Sequence, residues 1–305
     1  MDLGDIVVRK SYGKDITFRI MEVRSVEEQE VYIIEGINIR IVADSPVADL
    51  ELAKEGKIGE LDKVFDRKVN STIKKVLTDR VDIKAKHRSP LQGKGSPFQA
   101  KESPLPVKAK DIKNKELFFG RPGKVLHIDA DENYMNSCLK VYKQLSIEAV
   151  GQVIPEKEQG TRAVELVKTI RPDIVVITGH DGMLKDTKDF LDLNNYKNSK
   201  YFVEAVNNIR NFEPDYDDLV IFAGACQSCY EKILDAGANF ASSPNRVLIH
   251  CLDPVFVCEK IAYTNFEKIV SIQEVIENTI TGTKGIGGLQ TRGKYREGYP
   301  KSTYV

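Results

Sequence analysis

Two short stretches place a histidine and a cysteine just after apolar runs. His180 follows the run "DIVVIT" (173–178) by two positions, and Cys226 follows the run "DLVIFAG" (218–224) by two positions. An imidazole beside a thiol is the minimum for thiol nucleophilic catalysis, because the imidazole lowers the thiol pKa or accepts its proton. Cys226 is therefore a candidate nucleophile and His180 a candidate general base or acid.

A second cysteine, Cys229, leaves other chemistries open. The CxxC pair suits an oxidoreductase of the thioredoxin type, although the order of strands and helices here differs from that fold. A structural zinc site is another alternative, and its ligands would be Cys226, Cys229, Cys251 and either His250 or Cys258. The second pair lacks the spacing of a zinc knuckle. A lone cysteine after an apolar strand is also often a core residue.

The elements that must position this pair alternate along the chain from residue 124 onward. Predicted strands cover 124–129, 147–154, 173–178 and 218–224, with shorter candidates at 239–243 and 247–251. Predicted helices cover 132–145, 156–170, 199–212 and 227–236. This alternation indicates an α/β fold with a mostly parallel sheet covered by helices on both faces. Ligands bind such sheets beyond the carboxyl ends of the strands, where His180 and Cys226 lie.

The chain before residue 123 divides into three parts. Residues 1–50 contain short β-branched runs separated by turn residues, which predict a small β-barrel of the SH3 or KOW type. Residues 51–79 predict a charged helical segment. Residues 80–122 predict a basic, proline-rich linker, since positions 80–115 hold ten Lys or Arg, three acids and four Pro. Residues 123–305 are the predicted catalytic domain.

Composition narrows the classes of partner. Lys and Arg together number 45, as do Asp and Glu, so the net charge is zero and argues against nucleic acid as a partner. No apolar run approaches the roughly 18 residues of a membrane span, and the N-terminus lacks the features of a signal peptide. Five cysteines without a secretory signal suggest free thiols in a reducing cytosol.

The His…Gly turn and the later Ala-Cys turn, each after an apolar block, resemble the caspase-like cysteine peptidases. The resemblance implies an α/β/α sandwich, with His180 as general base or acid and Cys226 as nucleophile. In those enzymes Gly usually follows the histidine directly, whereas Asp181 intervenes before Gly182 here. The expected oxyanion donors are the backbone N–H groups of Gly182 and Cys226.

Longer stretches resemble a more specific family, the sporulation-specific cysteine proteases of the YabG type in endospore-forming bacteria. The stretches are "GDIVVRKSYGKDITFRI", "RIVADSPVADL", "PGKVLHIDADE", "RPDIVVITGHDG", "LVIFAGACQS", "AGANFASSPNRVLIHCLDPV" and "KGIGGLQTRG". The resemblance implies an endopeptidase that cleaves after Arg in proteins of the spore coat or cortex, and in itself. It also implies the mother-cell cytoplasm and association with the coat.

Cysteine proteolysis requires no metal or cofactor, and we expect none. The oligomeric state is left open by the sequence. The main alternative to an enzyme is a sporulation assembly protein in which the Cys226 and His180 side chains are structural.

Cleavage after Arg would need carboxylates beside the catalytic pair, because a carboxylate binds a guanidinium best. Asp129 or Asp131, at the end of the first predicted strand, is the first choice, and Asp181 is the next. Asp129 and Asp131 also suit a helix N-cap and first-turn acid, and both interpretations stay open. Ser242 is a further candidate for lining the pocket.

The predicted linker offers sites for self-cleavage. Its composition predicts a segment mobile enough to enter an active site as an extended strand. Arg88 is the first expected site and Arg80 the second. Arg121 is disfavoured because Pro122 follows it.

Overall fold

The computed structural model describes residues 1–26, 29–53, 59–86 and 118–302. These residues form an N-terminal antiparallel sheet, a long helix and a larger α/β unit. None of the helices in the described ranges is long and apolar enough to cross a membrane.

The N-terminal sheet has five antiparallel strands in the order β4-β3-β2-β1-β5. They are β1 (Ile6–Arg9), β2 (Thr17–Val26), β3 (Gln29–Gly36), β4 (Val42–Pro46) and β5 (Leu50–Leu52). Alternating apolar residues give this sheet a small core of its own, which includes Phe18 and Ile34. The strands β4 and β5 lie at opposite edges, and no closed barrel is detected in the described residues. The predicted SH3 or KOW-type barrel is therefore not confirmed.

A single helix, α1 (Glu60–Lys86), links this sheet to the α/β unit. Its apolar residues Phe65, Val69, Ile73 and Val76 recur at helical spacing and pack on the core of that unit. The helix includes Arg80, which the sequence had placed in the linker. Residues 87–117, with Arg88 and His87, lie outside the described residues.

The α/β unit is built on a six-stranded sheet in the order β13-β11-β10-β9-β7-β8. Its parallel strands are β7 (Val125–Asp129), β8 (Ala149–Val153), β9 (Ile174–Thr178), β10 (Val220–Ala223) and β11 (Phe240–Ser242). The edge strand β13 (Ile286–Gly288) is antiparallel to β11. The predicted mostly parallel sheet with flanking helices is confirmed.

Helices cover both faces of this sheet. One face packs on α1, α2 (Glu132–Gln144), α6 (Asp253–Tyr263) and α7 (Ile272–Ile276). The other packs on α3 (Glu156–Ile170), α4 (Ser199–Phe212) and α5 (Tyr230–Asp235). Short pairs complete the described part, namely β6 (Phe119–Arg121) with β15 (Arg296–Gly298), and β12 (Ile269–Val270) with β14 (Thr291–Arg292).

The strand β9 shows why the sheet holds the candidate site rigidly. Ile174 and Val176 point to one core, and Val175 and Ile177 point to the other. Burial of each such side chain contributes about 1.5–3 kcal/mol, so β9 is fixed from both faces. Residues that follow β9 directly therefore leave the sheet from a well-defined position.

Two local predictions differ from the structure. The stretch 247–251 was expected to be a strand, but it forms no named strand and only an isolated bridge between His250 and Ile39. The helix expected at 227–236 begins at Tyr230, because residues 226–229 form a turn held by side-chain hydrogen bonds.

Candidate active site

The candidate nucleophile and base leave the same edge of the sheet from neighbouring strands. The strands β9 and β10 pair directly, with Ile177 opposite Ala223. His180 follows β9, and Cys226 follows β10. The sequence-based prediction that the two strands are adjacent is confirmed.

A tight turn presents Cys226 after β10. Gly224 has φ +107°, a conformation that L side chains rarely adopt, and a Cβ there would lie 2.5 Å from Ser242 Oγ. The Ser242 hydroxyl donates to Ala225 O at 2.7 Å, and the Ala225 N–H donates to Ser228 Oγ at 2.9 Å. In this conformation the buried Ser242 hydroxyl therefore stabilises the turn through its hydrogen bond to Ala225 O.

The Cys226 thiol is enclosed in the resting structure. Its side chain is 1% exposed, and its Sγ accepts a hydrogen bond from the Ile249 N–H at 3.1 Å. Burial raises the pKa of Cys226 to about 12, although the Ile249 N–H favours the thiolate. The thiol is consequently neutral near pH 7. The Cys226 N–H has no acceptor among the described residues, which leaves it free to bind an oxyanion.

His180 is held by a carboxylate. Its Nε2 lies 2.9 Å from Asp131 Oδ2, so Nε2 carries the proton and Nδ1 is left as the acceptor. The other oxygen of Asp131 caps α2 and accepts from the N–H groups of Asn133 and Tyr134. Burial alone would raise the pKa of Asp131, but the hydrogen bond with His180 lowers it below its usual range. Asp131 is thus a helix cap and the partner of His180.

Asp181 ties the histidine turn to the cysteine turn. Its carboxylate accepts from Ser228 Oγ at 2.9 Å, from Ser199 Oγ, and from the N–H groups of Asn198 and Gly182, each at 2.8 Å. Burial raises its pKa, although these donors oppose the shift. Among the described residues no hydrogen bond joins His180 to Cys226 directly.

The arrangement around Asp181 changes the expected oxyanion donors. The Gly182 N–H is engaged by the Asp181 carboxylate in this conformation. The Asp181 N–H has no acceptor among the described residues. Within the described ranges, the residue inserted after His180 therefore has an N–H without an acceptor, as Cys226 does.

Asp129 is already paired with an arginine of the N-terminal module. Arg40 Nη2 lies 2.5 Å from Asp129 Oδ2, and both side chains are fully buried. The guanidinium lies 4.9 Å from the ring centroid of Tyr134. Burial alone would raise the pKa of Asp129, but Arg40 lowers it well below its usual range. Asp129 therefore binds a guanidinium, but one that belongs to the same chain.

The backbone around Arg40 also contacts the active-site region. The Arg40 N–H donates to Ile249 O at 3.2 Å, and the Cys251 N–H donates to Asn38 O at 2.9 Å. Ile249 is the residue whose N–H contacts the Cys226 thiol. The loop between β3 and β4 thus lies against the segment that covers the candidate nucleophile.

A second residue of the N-terminal module, Glu35, reaches the His180–Asp131 pair. Its Oε2 accepts from Asn133 Nδ2 at 3.0 Å, while its buried Oε1 has no hydrogen-bond partner. Burial and the nearby Asp131 carboxylate raise the pKa of Glu35 to about 8. Neither Glu35 nor Arg40 was singled out from the sequence, because each lies on or beside a strand of a different module and carries no motif.

The cysteines are all free thiols and all buried. Among the described residues, one group of three His, Cys, Asp or Glu side chains has ligand atoms close enough to hold a metal ion. It consists of Glu35, Asp131 and His180 and contains no cysteine. The ligand set of the zinc alternative (Cys226, Cys229, Cys251, His250 or Cys258) is therefore not assembled. Arg80, the second expected self-cleavage site, binds Glu259 at 2.6 Å from within α1.

Comparison with known proteins assigns nearly the whole chain to one family. A family model described as YabG peptidase U57 matches residues 2–300. The sporulation-specific protease YabG of Bacillus subtilis (strain 168) is 40% identical over 299 residues, which cover 98% of this chain and 97% of that protein. Both matches span the N-terminal sheet, α1 and the α/β unit. The chain belongs to the YabG peptidase U57 family and is a sporulation protease.

Proposed function

We propose that the protein is a cysteine endopeptidase with Cys226 as nucleophile and His180 as base and acid. The observation that carries the proposal is that these residues follow two adjacent parallel strands at the same sheet edge, with Asp131 on the imidazole Nε2. Asp131 fixes the tautomer in which Nδ1 accepts a proton, as the third member of a triad does.

The proton moves during the attack, because the buried thiol is neutral at rest. The Cys226 S–H proton passes to His180 Nδ1 while sulfur bonds to the substrate carbonyl carbon. The resulting oxyanion is bound by the N–H groups of Cys226 and Asp181. Collapse breaks the peptide bond, and His180 gives its proton to the leaving amine. His180 then takes a proton from water, which hydrolyses the thioester and restores the thiol.

We assign cleavage after Arg to Asp129. Asp131 is engaged with His180 and the α2 terminus, and Asp181 is engaged by four donors. Asp129 lies in surroundings that already accommodate the guanidinium of Arg40. A substrate arginine would take the place of Arg40 after the loop between β3 and β4 withdraws.

The proposed substrates are proteins of the spore coat or cortex, met in the mother cell as the coat assembles. The resemblance to the family, rather than the geometry, supports this choice. Self-cleavage is proposed after Arg88. Arg80 is the poorer site, because a helix must unwind and the contact with Glu259 must break before it can enter an active site.

The test of the catalytic proposal compares wild type with Cys226→Ala and His180→Ala on reporter peptides that differ only in Arg, Lys or Gln before the scissile bond. We expect cleavage of the Arg peptide by wild type alone, with all three proteins folded by circular dichroism. Cleavage by Cys226→Ala at the wild-type rate would refute the mechanism. Equal cleavage of the Arg and Gln peptides would refute the specificity.

The arginine site has its own test, which does not depend on catalysis. Arg40→Ala leaves Asp129 without its guanidinium, so a small guanidinium compound such as agmatine should raise the Tm of this variant and not that of wild type. If agmatine does not change the Tm of Arg40→Ala, Asp129 is not the arginine-binding residue.

A further inference from the structure

Glu35, Asp131 and His180 come from three separate parts of the chain and meet beside the active site. Glu35 lies on β3, Asp131 precedes α2, and His180 follows β9. One oxygen of each acid and one ring nitrogen of His180 lie within 4.8 Å of one another. Two carboxylates and an imidazole form a ligand set that zinc and related divalent metals accept.

The position of Glu35 is the observation that points to a ligand. Its side chain is 3% exposed, and its Oε1 has no hydrogen-bond partner. A buried polar oxygen without a partner costs free energy. Because burial and the neighbouring Asp131 raise the pKa of Glu35 to about 8, its carboxyl is protonated near pH 7, and a bound cation would displace that proton to solvent. The known partner of Glu35, Asn133 Nδ2, contacts only Oε2. One oxygen is therefore fixed while the other is left for a cation.

Asp131 and His180 are also held in place by hydrogen bonds. Asp131 Oδ1 accepts from two N–H groups at the start of α2, which leaves Oδ2 toward His180. Outer hydrogen bonds of this kind orient metal ligands and are a regular part of metal sites. The 2.9 Å between Asp131 Oδ2 and His180 Nε2 would widen only to about 3.4 Å, the separation of two ligands in a tetrahedral zinc site.

An entry route exists between the two modules. A polar groove of about 220 Å³ lies between β3 and α2 and is lined by Glu35 together with Arg19, Asn133 and Ser137. Asp131 and His180 are also partly accessible, at 11% and 27% exposure of their side chains. Each of the three residues therefore borders the groove or solvent, and we infer that a cation enters from there.

We propose that Glu35, Asp131 and His180 bind one divalent transition-metal ion, with zinc as the probe. The ion would replace the proton on His180 Nε2, which leaves to solvent, and the other ring nitrogen, Nδ1, would keep or gain a proton. Because the proposed function uses Nδ1 of His180 as its base, bound zinc would inhibit proteolysis. That consequence rests on the proposed function, whereas the binding itself does not. The ion would also connect β3 to the α/β unit and so stabilise the contact between them.

The binding experiment uses the full chain with Cys226→Ala, which removes the candidate nucleophile and prevents self-cleavage. Zinc is titrated by calorimetry into metal-free protein kept reduced with a phosphine. We expect one zinc per chain, a higher Tm with zinc, and at least a tenfold weaker affinity after Glu35→Gln. The matched control is Glu165→Gln, the same change at an exposed position of α3. It should bind zinc like its parent.

Cobalt substitution keeps the proposal testable should Glu35→Gln fold poorly. The Co²⁺ spectrum of the Cys226→Ala protein should show only the weak bands of nitrogen and oxygen ligands. A strong thiolate-to-cobalt band would overturn the site, as would absence of zinc binding or equal affinity of the parent and Glu35→Gln. Tight binding of Mg²⁺ in place of zinc would also overturn it, because the imidazole would then have no role.

The inhibition experiment uses active, metal-free protein and the Arg reporter. Zinc inhibition is expressed relative to the metal-free activity of each protein, and zinc should inhibit wild type at concentrations that leave Glu35→Gln at its own metal-free activity. Equal inhibition of both proteins would place zinc on Cys226 and His180 instead and refute the role of Glu35. Failure of the proposed function would show differently, as inactive wild type that still binds zinc in the calorimeter.

Discussion

The buried pair of Arg40 and Asp129 makes the clearest prediction for stability. Both side chains have no exposed surface, and their atoms lie 2.5 Å apart. Asp129→Asn removes one charge and leaves the guanidinium buried, with its Nε already lacking a partner. Breaking a buried pair in this way costs about 3–5 kcal/mol, so we expect the free energy of unfolding of Asp129→Asn to fall by that amount.

Removal of both charges should restore most of the loss. Arg40→Met with Asp129→Asn replaces the pair by neutral groups, and such replacements are often close to neutral in free energy. We therefore expect a coupling free energy of about 3 kcal/mol from the double-mutant cycle. The assay is urea denaturation followed by far-ultraviolet circular dichroism in the Cys226→Ala background, since the chain has no Trp to serve as a fluorescent probe.

The pH dependence of the same pair has a definite sign. The folded pKa of Asp129 is lower than its unfolded value of about 3.9, so the pair stabilises the fold fully above that pH. Its contribution is lost as the pH falls below about 4, and Asp129→Asn should lack this loss. Salt at 1 M should change the coupling little, because buried pairs are poorly screened. A coupling free energy near zero would refute the reasoning.

Three further outcomes concern the active site. Asp131→Asn should lower kcat/KM by about 10²- to 10⁴-fold, because the carboxylate no longer fixes the tautomer of His180, while Cys229→Ala should keep most of the activity. The kinetics of reporter cleavage measure both effects, and an equal loss of activity in the two variants would favour the CxxC alternative. Iodoacetamide should label Cys226 more slowly in native than in denatured protein at pH 8, because burial raises the pKa of the thiol to about 12. Peptide mass spectrometry gives the labelling rates, and faster labelling of the native protein would contradict an enclosed thiol. Gly224→Ala should cost about 1–3 kcal/mol through strain at φ +107°, measured by urea denaturation, and an unchanged midpoint would show that the turn can relax.

The larger sheet could be predicted because its strands are apolar on both faces, as β9 shows. The helix patterns around them had clear apolar stripes. The rule that ligands bind beyond the carboxyl ends of parallel strands led to the candidate pair Cys226 and His180. The stretch 247–251 was mistaken for a strand because it is apolar and buried, yet its backbone contacts Cys226 and Arg40 instead of a neighbouring strand.

The contributions of the N-terminal module could not be predicted from the sequence. Glu35 and Arg40 belong to a short β-rich segment whose charged residues suggested a solvated surface. Their hydrogen-bond partners Asn133 and Asp129 lie 98 and 89 positions away, and no local pattern records a contact over that distance. Asp129 was singled out from the sequence as a candidate pocket residue, but its contact with Arg40 was not predicted.

The packing of α1 changes what a cut in the chain would mean. Residues up to 86 are held to the α/β unit by the apolar stripe of α1, by Arg80 on Glu259 and by Arg40 on Asp129. A break between residues 87 and 117 alters the covalent connectivity but none of these contacts. The nicked protein would run as two bands on a denaturing gel and as one species in gel filtration. It would be a two-chain protease whose smaller chain still carries Glu35 and Arg40, which belong to the surroundings of His180.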